Sequence, residues 1–372
     1  MSSNPARDGA MTKRPRFSKL LLTCGFLLSA LPFLQAEQVL TGEIEGAKFE
    51  LTLPENPSGK LLLLAHGYRP EGLPLAASVG ESHDLYSNLV DDGWAVASTS
   101  YRRNGWILED AALDLINLHD HIRENVAYEP TLVILMGNSM GGGVVTWLSE
   151  HEPQRFDGAL AMGAYLFEPI GDSETPSTTL APYYSGKPQF PILFLTNTSE
   201  LEGPAAYVSM AAEAAIAPVL WTIDREGHVN QNEAEQGAAL AALVNWVESG
   251  EIEPDADGTI HAATASTAVF EGDTAKGRAI TLVPVYGNII TSFVREDFQR
   301  LGLELGDSFS LSAQGQTVSV KLGKTYTDVP VGDWVGFWDA DGYLLICRNY
   351  KNAVATLGLP EDAPIEIQKQ DP

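Results

Sequence analysis

The sequence predicts an α/β chain, with a doubly wound, mostly parallel sheet in its first part and a smaller all-β, barrel-like domain in its second. Three observations carry that prediction. Up to residue 248, apolar runs of strand length alternate with amphipathic helical stretches, the pattern of strands buried on both faces. Near residue 250 the composition turns acidic, small and polar, and beyond it short β-patterned runs are separated by frequent glycine. Between the apolar run Thr131–Met136 and a helix-like run beginning at Gly142 stands Gly137-Asn138-Ser139-Met140-Gly141, a strand-to-helix turn. A length of 372 residues agrees with about two domains.

Taken in order, Lys13, Arg14, Arg16 and Lys19 precede an apolar run from Leu20 to Leu34 that ends in Gln35-Ala36. That is the pattern of a secretory signal peptide over residues 1–36, cleaved near Ala36, and it places the protein in the periplasm or outside the cell. The run is interrupted by Pro32 and is shorter than the roughly 20 residues that span a bilayer, so no stable membrane insertion is expected after cleavage. Residues 37–248 then read as one α/β domain. Its strands are expected at Leu61–Ala65, Trp94–Thr99, Thr131–Met136, Ala159–Leu166, Pro191–Asn197 and Pro218–Ile223. Helices are expected around Leu85–Asp91, over Glu109–Glu124, after the turn, and over Ala238–Val247 as the closing element. Residues 249–265, with Pro254 and Gly258, have linker composition. Residues 266–372 hold β runs at Ala279–Tyr286, Ser308–Leu311, Thr317–Leu322, Trp334–Trp338, Tyr343–Cys347 and Ile365–Gln368.

The turn at Ser139 carries the chemistry. Its two glycines permit a sharp bend that lifts Oγ clear of the backbone and aims the Met140 N–H, at the positive end of the following helix, where a tetrahedral oxyanion would form. A serine hydroxyl needs a base. With the nucleophile on such an elbow, acid and base follow it in the chain, which leaves His151, His228 and His261. His151 lies far along the elbow helix and His261 in the linker, so His228, closing the loop after Pro218–Ile223, is the expected base. The expected acid is Glu200, just past Pro191–Asn197, with Glu202 and Glu168 as alternatives. The Tyr68 N–H, after His66-Gly67, is the expected second oxyanion donor, and His66 itself is read as structural. The Phe167–Phe190 stretch, rich in Pro, Ser, Thr and Gly, reads as a loop in place of a helical lid, with Tyr183 and Tyr184 as packing residues.

With these residues placed, the first domain resembles the α/β-hydrolase superfamily in its elbow, its His66-Gly67 turn and its final Gly227-His228. The resemblance implies a serine hydrolase acting through an acyl-enzyme and does not name the substrate; a small-molecule carboxylic ester is the expected one, with no cofactor and no metal expected. A serine peptidase is the alternative. The second domain resembles the C-terminal β-barrel of the S-adenosylmethionine hydroxide adenosyltransferases, in Val285-Tyr286-Gly287-Asn288-Ile289-Ile290-Thr291, Tyr343–Tyr350 and Ala353–Leu359. In that family the matching positions help hold a nucleoside, so the resemblance suggests Asn288 and Arg348 for that role, and a homo-oligomer formed through the barrel. A barrel reused as a scaffold or interaction module is favoured over retained nucleoside binding, and a nucleoside- or partner-binding module beside a vestigial hydrolase is the remaining alternative.

Without residues 1–36, 18 basic residues face 48 acidic ones, a formal charge of −30. Nucleic acid and anionic membranes are poor partners for such a surface. Only Cys347 then remains of two cysteines, so the fold must rest on a buried core without an internal disulfide.

Overall fold

The computed structural model describes residues 37–79, 84–168, 179–262, 264–283 and 286–370. The expected signal peptide lies outside them, as do residues 169–178 of the stretch expected to replace a lid. The described chain opens on an antiparallel hairpin absent from the sequence expectation, β1 (Gln38–Ile44), mostly exposed, and β2 (Ala47–Leu53), mostly buried. There follow β3 (Lys60–Ala65), α1 (Asp84–Asp91), β4 (Trp94–Thr99), α2 (Leu108–Asn125), β5 (Leu132–Asn138), α3 (Met140–His151), β6 (Gly158–Met162), β7 (Ile192–Asn197), α4 (Glu202–Met210), β8 (Val219–Ile223) and α5 (Glu233–Ser249).

These strands form one sheet in the order β1-β2-β4-β3-β5-β6-β7-β8. β2 lies antiparallel to β4, and every neighbouring pair from β4 onward is parallel. Side-chain alternation explains the continuous apolar runs. Leu61, Leu63, Val133 and Leu135 enter the core on one face, while Leu62, Ile134 and Met136 enter the core on the other. Several boundaries differ from the sequence reading, and α5 begins at Glu233 rather than Ala238, where Asn232 and Glu235 form a capping box. The elbow helix starts at Met140 rather than Gly142, and the strand expected over Ala159–Leu166 ends at Met162 so that the chain can turn at Gly163.

The second part contains β9 (Val269–Glu271), β10 (Thr274–Val283), β11 (Asn288–Val294), α6 (Arg295–Arg300), β12 (Ser308–Ala313), β13 (Gln316–Leu322), β14 (Trp334–Trp338), β15 (Tyr343–Arg348), α7 (Ala353–Leu357) and β16 (Pro364–Lys369). Strand order is β11-β15-β14-β13-β12-β16-β10-β9, and β11 also pairs with β10, so seven strands close into a barrel with β9 appended. Phe293, Phe309, Leu344, Ile346 and Ile367 fill it, with Phe298 of α6 as a plug. A side chain on Gly277 would meet Ser292 and Phe293 of the neighbouring strand, which marks a corner of the barrel.

The stretch between the two parts is less free than its composition implies. Asp257 bridges Thr222 of β8 in parallel, with Thr222 N–H donating to Ala256 and Gly258 N–H donating to Thr222. The linker thereby covers the outer edge of the sheet and satisfies backbone groups that β8 would otherwise expose.

Candidate active site

Parallel register gathers the carboxyl ends of five strands. Ala65 of β3 lies beside Gly137 of β5, Asn138 beside Met162 of β6, and Asn197 of β7 beside Ile223 of β8. Loops leaving these ends converge above the sheet. Ser139 sits there with φ 54° and ψ −119°, a backbone conformation uncommon for a residue with a side chain. Its N–H donates to Met162 O at 2.9 Å, and its C=O accepts from Tyr165 N at 3.1 Å. The two flanking glycines are steric requirements. A side chain on Gly137 would run into the Gly141 backbone, and one on Gly141 into the Ala65 carbonyl. Such strain typically costs about 1–3 kcal/mol, and it is held here by the strands on both sides.

The structure brings His228 and Glu200 to this serine. His228 Nε2 lies 2.8 Å from Ser139 Oγ, and its Nδ1 is hydrogen-bonded to the Glu200 carboxylate. Glu200 also accepts from Val229 N–H at 3.0 Å through its other oxygen, so both carboxylate oxygens hold the histidine loop. Its side chain is 15% exposed and that of His228 is 41% exposed, which leaves the imidazole reachable from solvent. Of the alternative acids, Glu202 is exposed on the first turn of α4, and Glu168 is exposed beyond Leu166, its N–H bonded to Thr179.

Sequence reasoning missed Gly163, at φ 48°. An added Cβ there would come 2.6 Å from Glu200 Oε1 and 2.9 Å from Val229 Cγ2. Only a residue without a side chain lets Glu200 and the His228 loop pack so closely. Ser199, next to Glu200, reinforces the same approach. Its hydroxyl donates to Gly227 O at 2.8 Å and accepts from Gly227 N at 2.9 Å. A lone glycine and a lone serine in loops give no sequence signal of this kind.

Met140 is the first residue of α3, where backbone N–H groups have no partner within the helix. The Gly67 turn lies directly on the elbow, since a Cβ on it would come 3.1 Å from Ser139 Cβ. Tyr68 follows at once and is 37% exposed. His66 stays within its loop. Nδ1 lies 2.7 Å from Gly67 O, and the ring packs at 4.0 Å on Tyr101, whose hydroxyl donates to His66 O. Burial, and then the Arg69 charge, lowers its pKa to about 4, so it is neutral at ordinary pH.

Beside the elbow, Trp106 and Tyr165 meet edge to face at 5.1 Å, and Phe167 packs on Tyr165 at 5.9 Å. Tyr184 is buried, and its hydroxyl donates to Gly143 O at 3.1 Å, while Tyr183 is 36% exposed. Another unread residue anchors this side. Glu150 of α3 accepts from the N–H groups of Ser185, Gly186 and Lys187 and from the Tyr207 hydroxyl, which stitches the chain after residue 184 to the elbow helix.

In the barrel, Asn288 is buried and donates to the Tyr326 hydroxyl at 3.1 Å. Arg348 donates to Gly332 O through two of its nitrogens and to Thr356 Oγ1 through the third, over the Trp334 ring. Both side chains are thus engaged with the barrel itself.

A strand order of 1-2-4-3-5-6-7-8 with the second strand reversed, a serine elbow after the fifth strand and a histidine after the eighth together define the α/β-hydrolase fold. Residues 279–366 match the family model of the S-adenosylmethionine hydroxide adenosyltransferase C-terminal domain. Among solved structures, an uncharacterised conserved protein from Thermotoga maritima is 20% identical over 34% of this chain and 49% of its own, with a TM-score of 0.27. The acylaminoacyl peptidase of Pyrococcus horikoshii is 11% identical over 51% of this chain and 37% of its own, with a TM-score of 0.40. The Pyrococcus furiosus esterase Pf2001 is 14% identical over 57% of this chain and 87% of its own, also at 0.40. This chain thus spans half or less of the first two. No curated protein matches it.

Proposed function

We propose that the protein is an exported serine hydrolase that cleaves a carboxylic ester through an acyl-enzyme, with Ser139, His228 and Glu200 as its triad. The observation that carries the reading is the unbroken line from Ser139 Oγ through both nitrogens of His228 to Glu200, set at a helix N-terminus. Ser139 Oγ attacks the acyl carbon while His228 Nε2 takes its proton. Glu200 holds Nδ1–H, which fixes the tautomer and stabilises the imidazolium. The Met140 and Tyr68 amides receive the oxyanion, and each such donor is worth about 10²–10³ in rate. His228 returns the proton to the departing alcohol, and a water deprotonated by the same nitrogen releases the acid. Export follows from the basic and apolar start of the sequence, and the acidic surface suits a neutral or cationic substrate better than an anionic one.

Ester cleavage is preferred to amide cleavage because an alkoxide departs more readily than an amine, which needs stricter proton delivery. Initial rates on p-nitrophenyl esters and on peptide anilides, with wild type and Ser139→Ala, test this. The expected result is turnover of the esters that is lost in the variant. Anilide turnover that equals or exceeds ester turnover would make the protein a peptidase.

A further inference from the structure

Resting on that hydrolase reading, we infer that the barrel completes the hydrolytic site, through Asn230 acting as a positioning residue for His228. The loop that presents the imidazole is strained on both sides of it. Gly227 has φ 121°, and Val229, a β-branched residue, has φ 51°. Such a loop keeps one shape only where its surroundings over-determine it.

Two clamps do so, and both pass through Asn230. From the sheet side, Asn197 at the end of β7 accepts from Asn230 N–H at 2.9 Å and donates to its C=O at 2.9 Å. Arg225, paired with the buried Glu235, donates to the same carbonyl at 2.8 Å. On the other side, the Asn230 side-chain amide has both its protons engaged. One goes to Glu226 O at 2.8 Å, within the histidine loop, and the other to Trp338 O at 3.0 Å, at the end of barrel strand β14. One buried amide therefore ties the start of the base loop to the barrel. A second tie runs alongside, where barrel Lys324 pairs with Glu226 at 3.0 Å. Gly227 is needed for this closeness, because a Cβ there would come 2.9 Å from Asn230 Cβ. The barrel acts here as part of the mould for the catalytic base, and displacement of that base by about 1 Å is the kind of error that costs on the order of 10²-fold in rate.

Asn230→Asp separates positioning from folding. The backbone bonds to Asn197 survive the change and the volume is kept, while both side-chain donors are replaced by a charge facing two carbonyls. In the full-length protein, kcat is expected to fall roughly 10- to 100-fold with KM changed less than about threefold. The rate of fluorophosphonate labelling at Ser139 should fall by the same factor, and the final labelled fraction should stay complete. A purely structural role would lower the labelled fraction and leave the rate per labelled site at its wild-type value, and that result overturns the proposal. A wild-type enzyme that does not label at Ser139 overturns the hydrolase reading as well, so the two failures are distinct. If Asn230→Asp does not fold, charge reversal supplies the test. Lys324→Glu should lower kcat severalfold and Lys324→Glu with Glu226→Lys should restore it, whereas single reversals at full rate count against the inference.

Discussion

In the sheet, the ends of β5, β7 and β8 deliver three side chains to one point at the elbow, whereas in the barrel the residues that the family resemblance offers for ligand binding turn to partners within the barrel. Ser139, His228 and Glu200 come from loops that only tertiary structure joins, and each keeps a reactive atom toward the next. Asn288 and Arg348 spend their donors on Tyr326, Gly332 and Thr356. A likeness of sequence to a binding domain thus carries the barrel's shape into this chain, while the polar groups at the matching positions serve its own packing. One link between the two regions is the short run Arg225–Asn232, which belongs to the first and leans on the second.

The largest effects should fall on the sheet side. Glu200→Gln leaves the shape of the site intact and offers the imidazole the wrong partner, so kcat should fall about 10³- to 10⁴-fold with little change in melting temperature. Glu202→Gln and Glu168→Gln, measured beside it, should change kcat less than about twofold. Equal losses at Glu202 would reassign the acid. Gly163→Ala comes next. It forces a Cβ against Glu200 Oε1 at a left-handed position, and the expected cost is about 1–2 kcal/mol of stability with a loss of kcat of at least about tenfold.

Acid and base titration should divide the two regions by sign. His66 in the sheet has its pKa lowered to about 4 by burial, so the unfolded chain binds a proton that the folded chain refuses between about pH 4 and 6.5. Stability from this group rises with pH across that window. Asp339 at the end of β14 has its pKa raised to about 6, by burial first and by Asp341 among the lesser causes, despite accepting from the N–H groups of Asp341 and Tyr343. Here the folded chain keeps a proton that the unfolded chain releases between about pH 3.8 and 6, so stability falls as pH rises. Asp339→Asn should therefore raise the stability above pH 6 by up to about 2–3 kcal/mol and change little near pH 4. His66→Asn should flatten the opposite slope. Melting curves from pH 4 to 8 read both, and slopes of the same sign would remove the contrast. The smallest effect belongs to Lys324→Ala, whose exposed pair with Glu226 should matter by less than about 1 kcal/mol to stability.

Much of the first region is legible in sequence because its signals are local. A buried strand, two glycines and a serine occupy a few adjacent positions, and Glu200 and Gly227-His228 each follow an apolar strand at once. What escapes is set by approach between distant segments. Gly163 matters because Glu200 comes to it, Glu150 because three amides converge on it, and Asn230 because the end of β14 lies across from it. The β1 strand gives little signal because its residues are largely exposed, and β11 overlaps Val285–Thr291, the run that carries the family resemblance. The linker shows the same limit from the other side, polar and small by composition yet bonded along β8.

The central claim is that Ser139 is a nucleophile activated by His228, and covalent labelling reads it without knowledge of the substrate. A fluorophosphonate incubated with the full-length protein near neutral to mildly alkaline pH should leave one adduct, mapped by mass to Ser139, and its rate should drop at least about 10³-fold in His228→Ala. An unlabelled Ser139, or labelling that proceeds undiminished without the histidine, would contradict the account.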